Sequence, residues 1–377
     1  MNRGPHPLDF FAYLAQMQAQ YPAFMQGWMQ GMPGQNNMPF TPEQMVAWQQ
    51  QAQQGFNDFF TGMSAYHNHS YQRTQSDRPV IWSEGNTRVY DCSRAGSEGR
   101  PVLIVPSLIN RSYILDLDNQ RSMVQYMADQ GLRPYIIDWG ELDDNTRGYG
   151  FDDYLNRRLL AAIHSVGGAE VDLLGYCMGG LFTLAAAKHL TTVRKLVFLA
   201  TPWDFHADRP WVPQWVAYMH DHFEQLIQTC DELPVQALNM MVAMSNPTSV
   251  LKKFQDMSQS PEISDSFVAV EDWVSDGVPM ASTMARECLF GWYQNNQPQT
   301  NSWHVNGDIL KPEDIQHECL SIIPTNDQIV PPNSSRALAN RLPNGKALEV
   351  DLGHVGAIVG GKAPDLVWQP LVSFLTQ

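Results

Sequence analysis

The stretch Val171-Asp172-Leu173-Leu174-Gly175-Tyr176-Cys177-Met178-Gly179-Gly180 constrains this chain more than any other. Its apolar run reads as a strand, Gly-Tyr-Cys-Met-Gly as a sharp turn, and the alanine-rich residues after it as a helix. Glycines two positions either side of Cys177 let strand and helix pass without a Cβ clash. The residue at the apex then projects at the helix N-terminus. A thiol ionises more readily than a hydroxyl, and there the helix dipole and free N–H groups favour its thiolate. The backbone N–H of Met178 would face the same point as a donor to a developing oxyanion. A lone G-x-C-x-G also suits a small residue merely packed in a turn, so the order of residues further along the chain has to decide.

Downstream, Cys319-Leu320-Ser321-Ile322-Ile323-Pro324 reads as a strand that runs into Thr325-Asn326-Asp327. Ala347-Leu348-Glu349-Val350-Asp351 reads as another and leads through Leu352 and Gly353 to His354. An acid and then a histidine, each just past a strand's C-terminal end, complete the chain order of an α/β-hydrolase triad. Cys177, Asp327 and His354 are therefore the candidate catalytic residues. Pro101–Pro106 reads as a buried strand, and in this fold the loop after it supplies the second oxyanion N–H. Ile109 is the candidate donor, with Leu108 close beside it. Further strands are expected around Val80–Trp82, Thr87–Tyr90, Arg133–Gly140 and Lys195–Ala200, with helices near 122–130, 151–166 and from Cys177 to about Leu190. Such alternation predicts a doubly wound, mostly parallel sheet.

A length of 377 residues fits one large α/β domain plus an extension. The first 75 or so are rich in Gln, Met and aromatics and poor in charge. They predict two helices, one through Phe10, Phe11, Leu14, Met17, Tyr21 and Phe24, the other through Met45, Trp48, Phe56 and Phe60. These helices either pack on the main domain or offer an adhesive face to a partner or a hydrophobic particle. The catalytic domain is then 76–377, interrupted over about 203–308 by a helical insertion that reads as a cap. Its Trp203, Trp211, Trp215, Trp273 and Trp292, with several methionines, either line an acyl tunnel or form ordinary core.

A formal net charge of -15 argues against a nucleic-acid partner. It leaves room for an anionic group held by a few arginines such as Arg111, Arg147, Arg157 or Arg158. Five cysteines without a C-x-x-C pair suggest free thiols in a reducing cytoplasm. The N-terminus does not read as a signal peptide, and no apolar run is long enough to span a bilayer. His206, His220 and His222 belong to no metal-binding motif, and no metal is expected.

Taken together, Pro106-Ser107-Leu108-Ile109-Asn110-Arg111-Ser112-Tyr113-Ile114-Leu115-Asp116-Leu117, Ile137-Asp138-Trp139-Gly140, the Cys177 turn, Asp327 and Gly353-His354 resemble the polyhydroxyalkanoate synthases over roughly residues 80–377. The resemblance implies an α/β-hydrolase fold with cysteine in the lipase box and (R)-3-hydroxyacyl-CoA as substrate rather than cofactor. It also implies a polyester product, Cys177, Asp327 and His354 as triad, and Asn110 and Tyr176 as substrate contacts. Cytoplasmic granules, a homodimer or a second synthase subunit are the partners that go with it. Gln328 stands where the family often has histidine, and the length is nearer that of the catalytic subunit of two-component synthases. Two other readings of the same residues stay open: a thiol hydrolase acting on acyl-CoA or polymer, and a catalytically silent granule-binding protein.

Overall fold

The computed structural model describes residues 42–74, 77–167, 170–245, 247–260 and 263–377. The helix expected through Phe10–Phe24 lies outside them. The described chain falls into two units, one of residues 73–238 with 276–377 and one that pairs the segment ending at Gln72 with Asn239–Ser275.

The larger unit is built on eight strands: β1 Val80–Glu84, β2 Thr87–Asp91, β3 Pro101–Val105, β4 Arg133–Asp138, β5 Val171–Tyr176, β6 Val193–Leu199, β7 Glu318–Pro324 and β8 Gly345–Val350. They lie in the order β1-β2-β4-β3-β5-β6-β7-β8. β1 pairs antiparallel with β2, and β2 with β4. Every pairing from β4 through β8 is parallel. Parallel strands are covered on both faces, which is why β3 and β5 are buried throughout and read as continuous apolar runs instead of alternating ones. Asp172 in β5 is the exception in sequence. Both its oxygens accept from Arg194, at 2.9 and 2.6 Å, so its burial leaves no carboxylate unpaired.

Parallel order brings the carboxyl ends of β3, β5, β7 and β8 to one end of the sheet. Asp327 and His354 follow neighbouring strands, and their loops are tied by Asn326 N–H to the Leu352 carbonyl at 3.0 Å and Thr325 N–H to the Val350 carbonyl at 2.8 Å. The α/β-hydrolase topology expected from the sequence is thus present.

Between β6 and β7 the chain forms the helices Val212–Tyr218, His220–Cys230, Val235–Ser245, Pro247–Ser258 and Asp265–Ser275, and then a helical stretch from Ser282 to Gln294. Of the tryptophans there, Trp203 and Trp292 are wholly buried with Trp303 and Phe151 in an edge-on cluster, whereas Trp211 is exposed. At least the first two are core.

In the smaller unit the expected helix is Pro42–His67. Phe59, Met63 and Tyr66 are buried with Phe254, Met257 and Val268, and the Tyr66 hydroxyl donates to Asp272 at 2.8 Å. Part of its aromatic face is therefore consumed internally by residues 254–272, while Phe60 remains partly exposed. The sequence boundary near 75 and the cap range of 203–308 do not anticipate this pairing, because it joins segments far apart in the chain. No described helix is long and apolar enough to cross a membrane.

Candidate active site

Cys177 stands between β5 and the helix Gly179–His189 at φ +55°, a left-handed conformation rare for a residue with a side chain. The flanking glycines make it possible. A Cβ on Gly175 would lie 2.3 Å from Gly180 Cα, and one on Gly179 would lie 1.9 Å from the Val105 carbonyl oxygen. The turn is closed by Cys177 N–H to the Leu199 carbonyl at 2.9 Å and Gly180 N–H to the Cys177 carbonyl at 3.0 Å. Its side chain is partly exposed, while Cys92, Cys288 and Cys319 are buried and Cys230 is exposed; among the described residues all five thiols are free.

His354 Nδ1 lies 2.6 Å from Asp327 Oδ2, with both side chains almost completely buried. The other carboxylate oxygen, Oδ1, accepts from the N–H groups of Ile329 and Val330 at 2.8 and 2.9 Å, so Asp327 is fully engaged. Burial alone would lower the His354 pKa. The neighbouring Asp327 and Cys177, by charge and by hydrogen bonding, outweigh it and raise the value to about 10. The three residues predicted from sequence are thus gathered at one point.

Tyr176 was expected to touch substrate, yet it is buried. Its ring centroid lies 5.1 Å from that of His354, and its hydroxyl makes a long contact of 3.4 Å to the His354 carbonyl oxygen. It packs against the histidine. Burial, with Cys177 and Asp327 nearby, holds its phenol well above the ordinary range. Met178 opens the helix and is buried. Ile109 is half-buried in the loop after β3; its carbonyl accepts from Val278 N–H at 2.9 Å, and Asn110 forms an isolated bridge with Gly277.

Sequence reasoning missed Cys288 and Tyr293. Burial raises both thiol and phenol, and the charge of Cys177 adds to each, so they belong to the surroundings of the nucleophile candidate. No motif marks them; they arrive on a helix inserted after β6. It also missed Arg209, whose guanidinium donates to the carbonyls of Gln328 and Ile329 beside Asp327.

The arginines considered for an anionic group are all engaged with carboxylates: Arg111 with Glu141 and Asp276, Arg147 with Glu232, Arg157 with Asp153, and Arg158 with Glu84. His206 bonds the Tyr293 carbonyl, and His220 stacks on Phe290. Among the described residues, no group of three or more His, Cys, Asp or Glu is arranged to hold a metal ion.

Residues 100–360 match the model of the alpha/beta hydrolase fold family. The poly(3-hydroxyalkanoate) polymerase subunit PhaC of Allochromatium vinosum is 30% identical over 319 residues, covering 80% of this chain and 89% of that protein. The PhaC subunit of Thiocystis violacea is 28% identical over 318 residues, covering 80% and 88%. The PhaC subunit of Haloferax mediterranei is 28% identical over 308 residues, covering 78% of this chain and 62% of that protein. Among solved structures, BpoC from Mycobacterium tuberculosis H37Rv superposes with a TM-score of 0.54 at 16% identity, covering 80% of this chain and 98% of that one, a likeness of fold alone. With the sheet order, the Cys177 turn and these relatives together, the chain is an enzyme of the α/β-hydrolase type that belongs to the poly(3-hydroxyalkanoate) polymerase PhaC family.

Proposed function

We propose that this protein polymerises (R)-3-hydroxyacyl-CoA into a polyester through an acyl group carried on Cys177. The observation that supports the reading most is the 2.6 Å Asp327–His354 contact, with Cys177 acting on the same imidazole. In this reading His354 takes the Cys177 proton and holds it between Asp327 and the sulfur.

The Cys177 thiolate attacks the thioester carbonyl, and the backbone N–H groups of Met178 and Ile109 hold the oxyanion. As the carbon–sulfur bond to CoA breaks, His354 gives its proton to the departing sulfur and becomes neutral. One thioester has replaced another at little cost, so the acyl group stays reactive. The 3-hydroxyl of the next unit then attacks that carbonyl while neutral His354 takes its proton. An ester forms, Cys177 leaves as thiolate, and the starting protonation state is restored. Asp327 orients the ring through its bond to Nδ1. None of these steps calls for a metal or a redox cofactor, and the growing polymer surface is the partner the reading implies.

The test is purified protein with 3-hydroxybutyryl-CoA, following CoA release, the mass of Cys177-containing peptides and the second product. Acyl-Cys177 and insoluble polyester are expected. Free 3-hydroxybutyrate as the product would make the protein a thiol hydrolase, and an unmodified Cys177 with no CoA release would make it catalytically silent.

A further inference from the structure

We infer that Asp138 is a positioning residue for the second oxyanion donor, acting through Ser112 on the loop that carries Ile109. The inference rests on the acyl-transfer reading of the Cys177 site. The loop from Pro106 to Arg111, which runs into the short 3-10 helix Ser112–Leu115, contains no helix or ladder strand of its own, only the single Asn110–Gly277 bridge, so its conformation has to be imposed by neighbours. β4 lies beside β3 in parallel register, with Ile104 opposite Ile136, which sets the residues after β4 alongside this loop.

There, Asp138 uses both carboxylate oxygens. Oδ1 accepts from Gly140 N–H at 2.8 Å, fixing the carboxylate, and Oδ2 accepts from the Ser112 hydroxyl at 2.6 Å, a charge-assisted bond. The adjacent Trp139 indole N–H donates to the Pro106 carbonyl at 3.0 Å, where the loop begins. Thus residues 138 and 139 grip both ends of the segment that contains Ile109. From the other side, Val278 N–H holds the Ile109 carbonyl. Arg111 is shared between Glu141 at 2.7 Å and Asp276 at 3.2 Å. Those two carboxylates are 68% and 47% exposed, so this ion pair fixes the loop less firmly than the Asp138–Ser112 bond.

An oxyanion donor acts on the transition state and not on bound substrate, so a misplaced Ile109 N–H lowers kcat and leaves KM alone. In the full chain, Asp138→Ala should lower kcat for Cys177 acylation by 3-hydroxybutyryl-CoA about 10- to 100-fold. That is below the roughly 10²–10³-fold seen when a donor is removed outright. Alkylation of Cys177 by iodoacetamide, a displacement at saturated carbon that forms no oxyanion, should keep its wild-type rate. Asp138→Asn keeps an oxygen for Gly140 and an amide for Ser112, and should recover most of the loss. If Asp138→Ala does not fold, Ser112→Ala removes the same bond and should give the same split between acylation and alkylation. A wild-type kcat in these variants, or acylation and alkylation falling together, overturns the positioning role alone. Failure of the wild type itself to acylate at Cys177 overturns the acyl-transfer reading and this inference with it.

Discussion

The turn that carries Cys177 is fixed from within: a residue at φ +55°, glycines where no Cβ fits, and two backbone hydrogen bonds, all set by a short run of sequence and its immediate neighbours. The loop that carries Ile109 is fixed from outside, by Asp138, Trp139 and Val278, which reach it from β4 and from the insertion after β6. The first arrangement draws its backbone hydrogen bonds and its closest backbone contact from Leu199 of β6, Val105 of β3 and the turn itself, not from the insertion. The second ties one of two proposed oxyanion donors to residues of the insertion. Chemistry at sulfur that needs no oxyanion should therefore depend on the turn and His354 but not on the Ile109 loop, and acyl transfer should depend on all three.

The largest effect belongs to the turn. Cys177→Ala should abolish acyl transfer with the fold retained, and Cys177→Ser should keep at most a trace, because the hydroxyl is a far weaker nucleophile. Turnover by the alanine protein near the wild-type rate would remove Cys177 from the mechanism and leave the comparison without its subject. Next comes His354→Gln, for which rate loss in the range of about 10²–10⁴-fold is expected from the ordinary contribution of general acid–base catalysis. The same variant should slow alkylation of Cys177 as well, since the histidine acts on sulfur before any oxyanion forms.

Gly179→Ala separates the two regions by stability. Its new Cβ would lie 1.9 Å from the backbone oxygen of Val105, which cannot swing aside like a side chain. Overpacking of this kind costs about 1–3 kcal/mol, so the melting temperature should drop along with activity. Asp138→Asn, by contrast, should leave the melting temperature nearly where it was. An unchanged melting temperature in Gly179→Ala would mean that the turn relaxes and that its geometry is not locally enforced.

The same contrast explains what the sequence disclosed. Cys177, Asp327 and His354 were legible because each is announced by its own short context: a strand, a turn, and an order along the chain. The sheet was legible because parallel burial writes unbroken apolar runs such as Val102–Val105 and Leu173–Leu174. Cys288, Tyr293 and Arg209 were not, since nothing local distinguishes them and they reach the site only through the path of the inserted helices. Tyr176 was read as a substrate contact from the same short context, which does not disclose that its buried ring packs against His354. The pairing of Phe59 and Tyr66 with Phe254 was hidden for a different reason, because an amphipathic helix shows that a face will be buried without showing by what.

The smallest effect is a displacement of pH dependence, and it concerns the charge that unites the two halves of the site. His354 is held at about 10 although burial works the other way, because Asp327 and Cys177 both favour its protonated form. Acylation needs that proton for the CoA sulfur, so its rate should fall on an alkaline limb near pH 10 in the wild type. Asp327→Asn removes one of the two supporting charges and leaves burial in place. The limb should then move to lower pH, with the residual rate below it only modestly reduced if Asp327 acts by charge and orientation. Stability should follow the same group. A histidine whose pKa is raised from about 6.5 on folding contributes stability that is fully present below about pH 6.5. That contribution is lost as pH climbs through the folded value of about 10. The gap in melting temperature between wild type and His354→Gln should accordingly narrow across that interval. A gap that stays constant, together with an alkaline limb that Asp327→Asn does not move, would show that the imidazole is neutral in the resting site and that Cys177 begins the reaction as a thiol.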